Sequence, residues 1–162
     1  MSKVYFKPSS NYFAKANKVF EEQRARINKL IPYTDIQHVG STSIPNSVTK
    51  GDLDLTIRVP RGKFKQAVEE LQSIYGINQP ENWSDTFASF KDEKNLGIDF
   101  GAQLVVKNSK SDDFIKLRDI LLKNSDLVEE LNAIKIRYEG KSMVDYRKEK
   151  ADFFQKLREK FL

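Results

Sequence analysis

Asp52 and Asp54 are separated by one residue in Asp52-Leu53-Asp54-Leu55. Two carboxylates at i and i+2 of an extended strand project from one face, where both can reach the same hard cation. Asp is a poor strand former, so two of them in an otherwise apolar alternation imply a purpose beyond folding. Asp99 lies in a second alternating segment, Leu96 to Val106, on the same polar face as Gln103. Three carboxylates on strand faces are the ligand set of two-metal phosphoryl chemistry, with the ions about 3.5–4 Å apart. Upstream, Gly40-Ser41-Thr42-Ser43 follows a short strand. A glycine there lets the backbone approach a ligand closely, and the hydroxyls and N–H groups of Ser41 and Thr42 can receive phosphate oxygens. The bland alternatives are a Ser/Thr-capped turn and a solvated strand face. What favours the chemical reading is the order: strand, Gly-Ser, ten residues, then Asp-apolar-Asp-apolar.

Composition narrows the chemistry. There is no Cys and a single His, which excludes disulfides, thiolate zinc sites and His-rich metal centres, so any metal must sit on oxygen. With 39% hydrophobic and 31% charged residues, the 162-residue chain reads as one ordinary globular domain, residues 1–162. No apolar run approaches the roughly 20 residues that span a bilayer, and the N-terminus lacks a secretory pattern, so a cytoplasmic protein without a membrane partner is expected. Charge is uneven: residues 1–34 hold seven Lys/Arg against two Glu, residues 35–106 seven against ten acidic residues, and residues 107–162 fourteen against eleven. That bias suits phosphate-bearing partners but contains no dense Lys/Arg run, so it supports nucleic-acid binding only weakly.

These residues need elements to hold them. Apolar positions Phe13, Ala16, Phe20, Ile27 and Leu30 predict a helix stopped by Pro32. Ile36–Val39 and Asp52–Val59 predict strands, the second with Leu53, Leu55, Ile57 and Val59 on one face and Asp52, Asp54, Thr56 and Arg58 on the other. Phe64, Ala67, Val68, Leu71 and Ile74 predict a helix; Asp85–Lys91 and Leu96–Val106 predict strands joined by a turn at Asp92–Asn95. Three helices follow around Leu117, Leu131 and Phe153, with Ser125 and Ser142 as N-caps. The expected class is α+β: a mixed or antiparallel sheet core over residues 35–106 carrying the metal site, an N-terminal helix within 1–34, and a helical part, 107–162, closing a cleft. His38 reads either as a ligand contact beside Gly40 or as a partly buried structural residue. Lys50 reads as a phosphate contact or a charge partner for the Asp pair, Arg58 as a partner or surface residue, and Trp83 as a base-stacking or edge-packing ring.

Gly40-Ser41, ten residues and Asp52-Leu53-Asp54-Leu55 resemble the signature of the polymerase-beta-like nucleotidyltransferase superfamily, in which Gly-Ser holds a nucleoside triphosphate and the Asp pair a divalent metal. His38-Val-Gly-Ser-Thr-Ser-Ile-Pro45 with Lys50 resembles, more particularly, the GrpB family of small nucleotidyltransferase-like proteins. Leu117-Arg118-Asp119-Ile120-Leu121 is similar to that family's Phe-Arg-Asp-Tyr-Leu segment, and Ile134-Lys135 with Tyr146-x3-Lys150-x2-Phe153 to its closing pattern. Asp52 stands where many members have an apolar residue, and Gln103 where the family commonly has His. The resemblance implies Mg²⁺-dependent (or Mn²⁺-dependent) transfer of a nucleoside monophosphate from an NTP such as ATP to an unidentified acceptor. It implies metal ligation by Asp52 and Asp54 and phosphate binding by Gly40, Ser41, Thr42, Lys50, Arg118, Lys135 and Lys150; Asp99, on the same polar face, is expected as the third metal ligand and as general base, since a metal-bridging carboxylate beside the acceptor hydroxyl can take its proton. His38, Gln103 and Tyr146 would support them. The alternative is a non-catalytic nucleotide- or phospho-ligand-binding module of the same fold that docks a protein or RNA partner.

Overall fold

A computed structural model describes residues 2–92 and 95–162. In chain order its elements are β1 (Lys7–Pro8), α1 (Phe13–Leu30), β2 (Asp35–Val39), β3 (Val48–Thr49), β4 (Leu53–Val59), α2 (Phe64–Gln72), β5 (Gly76–Ile77), β6 (Phe87–Lys91), β7 (Phe100–Val106), α3 (Phe114–Lys123), α4 (Ser125–Arg137) and α5 (Met143–Phe161). The class is α+β. A five-stranded mixed sheet runs β2-β4-β7-β6-β5, with β4 and β7 parallel and the other pairs antiparallel. β1 and β3 form a separate two-stranded ribbon.

The alternation in β4 works as expected. Leu53, Leu55, Ile57 and Val59 are fully buried, and they join Ala16, Phe20 and Ile27 of α1 and Phe64, Ala67 and Leu71 of α2 in one apolar cluster. The opposite face carries Asp54, Thr56 and Arg58 alongside Gly101 and Gln103 of β7, which the parallel register sets beside them. A second apolar cluster is helical: Leu117, Leu121, Val128, Leu131, Phe153 and others pack with Val4 and Ile44. The polar sheet residues and the helical cluster meet at the end of β2, where α3 contacts the strand.

Several boundaries differ from the sequence pattern. The Leu96–Val106 alternation becomes strand only from Phe100, because Asn95 and Gly97 take positive φ (54° and 78°) and break the extended path. Ser125 is the first residue of α4 and Asn124 holds the N-cap position without a side-chain capping bond, whereas Ser142 caps α5 by accepting the Asp145 N–H at 3.4 Å. Of the expected Asp92–Asn95 turn, Glu93 and Lys94 lie outside the described residues. Trp83 packs on Phe90 at the sheet edge and donates from its indole to the Asn78 carbonyl at 3.0 Å.

Arg58 is a structural clamp, remote from the Asp pair. Its guanidinium donates to both carboxylate oxygens of Asp112, each at 2.8 Å, and to Asp35 at 2.9 Å, tying β4 to β2 and to the turn before α3. Asp112 is buried and also accepts the Asn108 N–H, so removing Arg58 strands a buried charge. Arg58→Met is expected to lower unfolding free energy by about 2 kcal/mol, read as a lower urea midpoint at unchanged m-value.

Candidate functional site

The site is built on Asp54. Val39 at the end of β2 pairs with Asp54 across the antiparallel ladder, and Gly101 of β7 pairs with it on the other side. Gly40 follows Val39 with φ 78° and ψ −178°, a conformation essentially reserved for glycine. A Cβ there would lie 2.6 Å from one Asp54 carboxylate oxygen, and a Cβ on Gly101 would lie 3.0 Å from the other. The carboxylate is thus laid across two glycine backbones. Burial, followed by the neighbouring charge of Asp52, pushes its pKa up to about 6, while Lys150, Lys50 and a hydrogen bond from Gln103 pull the other way.

The turn is fixed from behind by His38. Thr42 spends its only hydroxyl proton on the Asp52 carbonyl at 2.9 Å, so the 2.9 Å contact to His38 Nε2 must be donated by the imidazole. That assigns a neutral Nε2–H tautomer. Burial, and the nearby Arg118 charge, lower the His38 pKa to about 4, in keeping with that form. His38 also stacks on Phe20, and its carbonyl accepts from Arg118 at 3.0 Å. Its role is to lock the loop between β2 and β4 in place. Thr42 is fully buried with its hydroxyl used, which removes its side chain from the phosphate-binding set expected from the sequence.

Beside Asp54 lies a cavity of about 420 Å³. Gly40, Ser41, Gln103, Arg118, Lys135 and Lys150 line it, so most of the sequence-nominated phosphate residues are brought together. Lys135 is only 2% exposed and donates to the Val48 carbonyl at 2.6 Å; burial, then the charges of Lys150 and Lys50, lower its pKa to about 7. Lys150 is likewise pushed down by burial, with Asp54 opposing, and its ammonium sits 5.8 Å over the Tyr146 ring. Tyr146 itself is buried in the helical core, edge-on to Phe6, and supports the site from beneath. Two residues that sequence reasoning missed, Arg147 and Arg158, also line the cavity. Their signal was the helical stripe that spaces Arg147, Lys150, Ala151, Phe154 and Arg158 along one face of α5.

Neither Asp99 nor Asp52 lines this cavity, although the Asp52 charge acts on Asp54, Lys135 and Lys150. Asp99 is exposed, precedes β7 and lines a separate cavity with Lys50, Tyr12 and Lys91. The parallel register sets Gly101, not Asp99, beside Asp54; Asp99 comes one residue before Phe100, the partner of Leu53, and its carbonyl accepts the Leu53 N–H at 2.7 Å, which puts it level with Asp52. Asp52 lies just ahead of β4 and faces Lys50 at 3.3 Å, so Lys50 is its charge partner. Among the described residues no three His, Asp or Glu side chains form a group able to hold a metal ion. The donor set tests the metal further. On β7 the residue opposite Asp54 is Gly101 and the next on that face is Gln103, whose amide donates to the carboxylate instead of adding a third anionic ligand. Asp52 and Asp54 suit one divalent ion that arrives with phosphate oxygens; they fall short of a two-ion site.

The family model described as GrpB protein matches residues 10–160. A UPF0157 protein of Vibrio cholerae serotype O1 is 32% identical over 154 residues, 95% of this chain and 81% of that protein. Among solved structures, conserved protein GrpB from Enterococcus faecalis superposes with a TM-score of 0.65 at 17% identity, covering 82% of this chain and 81% of that one. The Cid1 poly(U) polymerase with MgGTP bound superposes with a TM-score of 0.55 at 18% identity, over 80% of this chain and 42% of the polymerase. The fold is therefore nucleotidyltransferase-like. No helix among the described residues is long and apolar enough to cross a membrane.

Two outcomes follow from the glycine-held carboxylate. Folded Asp54 keeps its proton up to about pH 6, while the unfolded chain releases it near 3.8, so ionisation penalises folding increasingly across that interval and fully above it. Asp54→Asn should accordingly match the wild type near pH 4 and exceed its Tm by roughly 5 °C above pH 6, measured by scanning calorimetry across that range. Gly40→Ala, which meets both the φ restriction and the Asp54 oxygen, should lower stability by about 2 kcal/mol, read by urea unfolding; an unchanged midpoint would show that the loop relaxes freely.

Proposed function

This chain belongs to the GrpB family, and from that premise we propose that it is a phosphate-ligand-binding module on a nucleotidyltransferase-like fold. The cleft beside Asp54 takes the phosphate groups of a nucleotide or phosphorylated metabolite. The observation that carries this reading is the charge of the lining: Lys135, Lys150, Arg118, Arg147 and Arg158 surround the cavity, against one carboxylate among the described residues, that of Asp54. Arg118 and Arg158 keep partial partners in Asp119 and Asp113, but the two lysines are held in a desolvated setting where an entering dianion restores their charge. Ser41 and the Gly40 backbone border the same space. Residues 1–162 act as one domain in this account, because the sheet part supplies the glycine turn and the helical part the cations. The setting is cytoplasmic.

A second reading, Mg²⁺-dependent transfer of a nucleoside monophosphate from an NTP, is favoured by the intact Asp52-x-Asp54 pair. Mg²⁺ or Mn²⁺ held there would neutralise phosphate charge. The chain's residues would position the triphosphate, with Asp99, level with Asp52, as the general-base candidate.

The two readings respond oppositely to metal removal and to pH. Lys135 titrates at about 7, with Lys150, Lys50 and Asp52 as the charges acting on it, so its cationic form grows as pH falls from 8 to 6.5. Calorimetric titration with pyrophosphate and with ATP in EDTA should show binding that tightens severalfold over that interval. Lys150→Met should weaken it roughly tenfold or more. Binding that vanishes in EDTA, weakens toward acid and is accompanied by pyrophosphate release with Mg²⁺ would replace the binding module with the transferase.

A further inference from the structure

The cavity has two unlike halves. Its charged floor has been described. Its wall comes from the helical core: Leu121 of α3, Val128 and Leu131 of α4, and the rings of Phe114 and Phe154, with Ile44 from the loop after β2. Leu121, Val128 and Leu131 are 6–7% exposed, so they are core residues that turn one side to the cavity and not a scatter of surface apolar groups.

A nucleoside needs donors and acceptors for its base and ribose. The wall supplies none, because every lining hydroxyl and amide belongs to the floor. Ser47 spends its hydroxyl on the carbonyls of Ser41 and Ile44, Ser41 pairs with Thr49 at 2.6 Å, and Gln103 donates to Asp54 while its Oε1 stays buried and unpartnered, sealed from the cavity. Burying an unpaired base edge against Leu and Val would cost what a lost hydrogen bond costs. An aliphatic chain has no such requirement and covers apolar surface already present. The volume, about 420 Å³, falls within the range of small-molecule sites.

We propose that the ligand is an amphiphilic phosphomonoester: its phosphate lies on Lys135, Lys150 and Arg118, and its single aliphatic chain runs along the Leu121–Val128–Leu131 wall. This rests on the phosphate-binding reading above and names the body of the ligand that reading leaves open. No bond is made or broken. Specificity divides between the halves, charge fixing the head and apolar area grading the tail.

The test is isothermal titration of the full chain, below the critical micelle concentration, with inorganic phosphate, butyl, hexyl and octyl phosphate, AMP, and octyl glucoside as the uncharged amphiphile. Each buried methylene is worth roughly fourfold in affinity, so binding should climb through the alkyl series, with octyl phosphate well over tenfold tighter than inorganic phosphate and tighter than AMP. Ala151 is exposed, borders the cavity and carries no charge. Ala151→Trp should narrow the cavity and weaken octyl phosphate more than inorganic phosphate, flattening the chain-length dependence. Phe154→Ala, as a second variant, should weaken octyl phosphate more than inorganic phosphate. Phosphate binding with no chain-length dependence, AMP tighter than octyl phosphate, or octyl glucoside equal to octyl phosphate would each overturn the inference while the phosphate site stands. Failure of inorganic phosphate and every phosphate ester to bind would instead remove the phosphate-binding reading beneath it.

Discussion

Everything in the cleft depends on a carboxylate pressed against two backbones that have no side chain to offer. Asp54 can occupy its position only because Gly40 and Gly101 leave room for its two oxygens. Those glycines reach it from different strands: Gly40 by the antiparallel β2–β4 ladder, Gly101 by the parallel β4–β7 pairing. Register therefore fixes chemistry here. A slip by one residue in either pairing would turn Asp54 toward α1 and α2 and bring Leu53 or Leu55 out of the apolar cluster, an exchange the core forbids. The His38–Thr42–Asp52 hydrogen-bond chain holds the turn between the two strands at a set distance, so the glycine backbone arrives at the carboxylate without adjustment.

Burial then works on opposite charges in opposite directions. It raises Asp54 and lowers Lys135 and Lys150, so each is held away from its ordinary ionisation. Such groups are costly to the fold, and their cost is the reason to read them as functional: a site poised to gain charge balance from an incoming anion binds it strongly. The helices supply the cations and the sheet the carboxylate, so the cleft exists only where the two apolar clusters abut. Arg58, clamped by Asp35 and Asp112, holds the far end of the same strand and keeps that abutment rigid.

Much of this was legible in the chain. The alternation of β4, the Gly-Ser turn and its spacing to Asp52 and Asp54 depend on short-range periodicity, and the structure places Gly40, Ser41, Asp54, Lys135, Lys150 and Arg118 around one cavity. Asp99 shows what alternation leaves open: period two puts it on the polar face, but the parallel pairing sets Gly101 beside Asp54 and leaves Asp99 level with Asp52, ahead of the strand. Thr42 was nominated by type, and only the fold shows that its hydroxyl faces inward to a carbonyl. Arg147 and Arg158 went unnoticed because charges on an amphipathic helix read as solvated surface. Their neighbours Ala151 and Phe154 mark the stripe that turns to the cleft. The apolar wall is the least legible feature, since Leu121, Val128 and Leu131 carry the same spacing as any helix core.

Whether the Asp54 cleft is an anion site with at most one divalent ion is decided by anomalous scattering from crystals soaked in tungstate and Mn²⁺. An anion site gives tungstate density against Lys135, Lys150 and Arg118, with at most a single Mn²⁺ peak at Asp52 and Asp54. Two Mn²⁺ peaks about 3.5–4 Å apart, bridged by Asp54 and joined by Asp99, with no tungstate on the lysines, would contradict it.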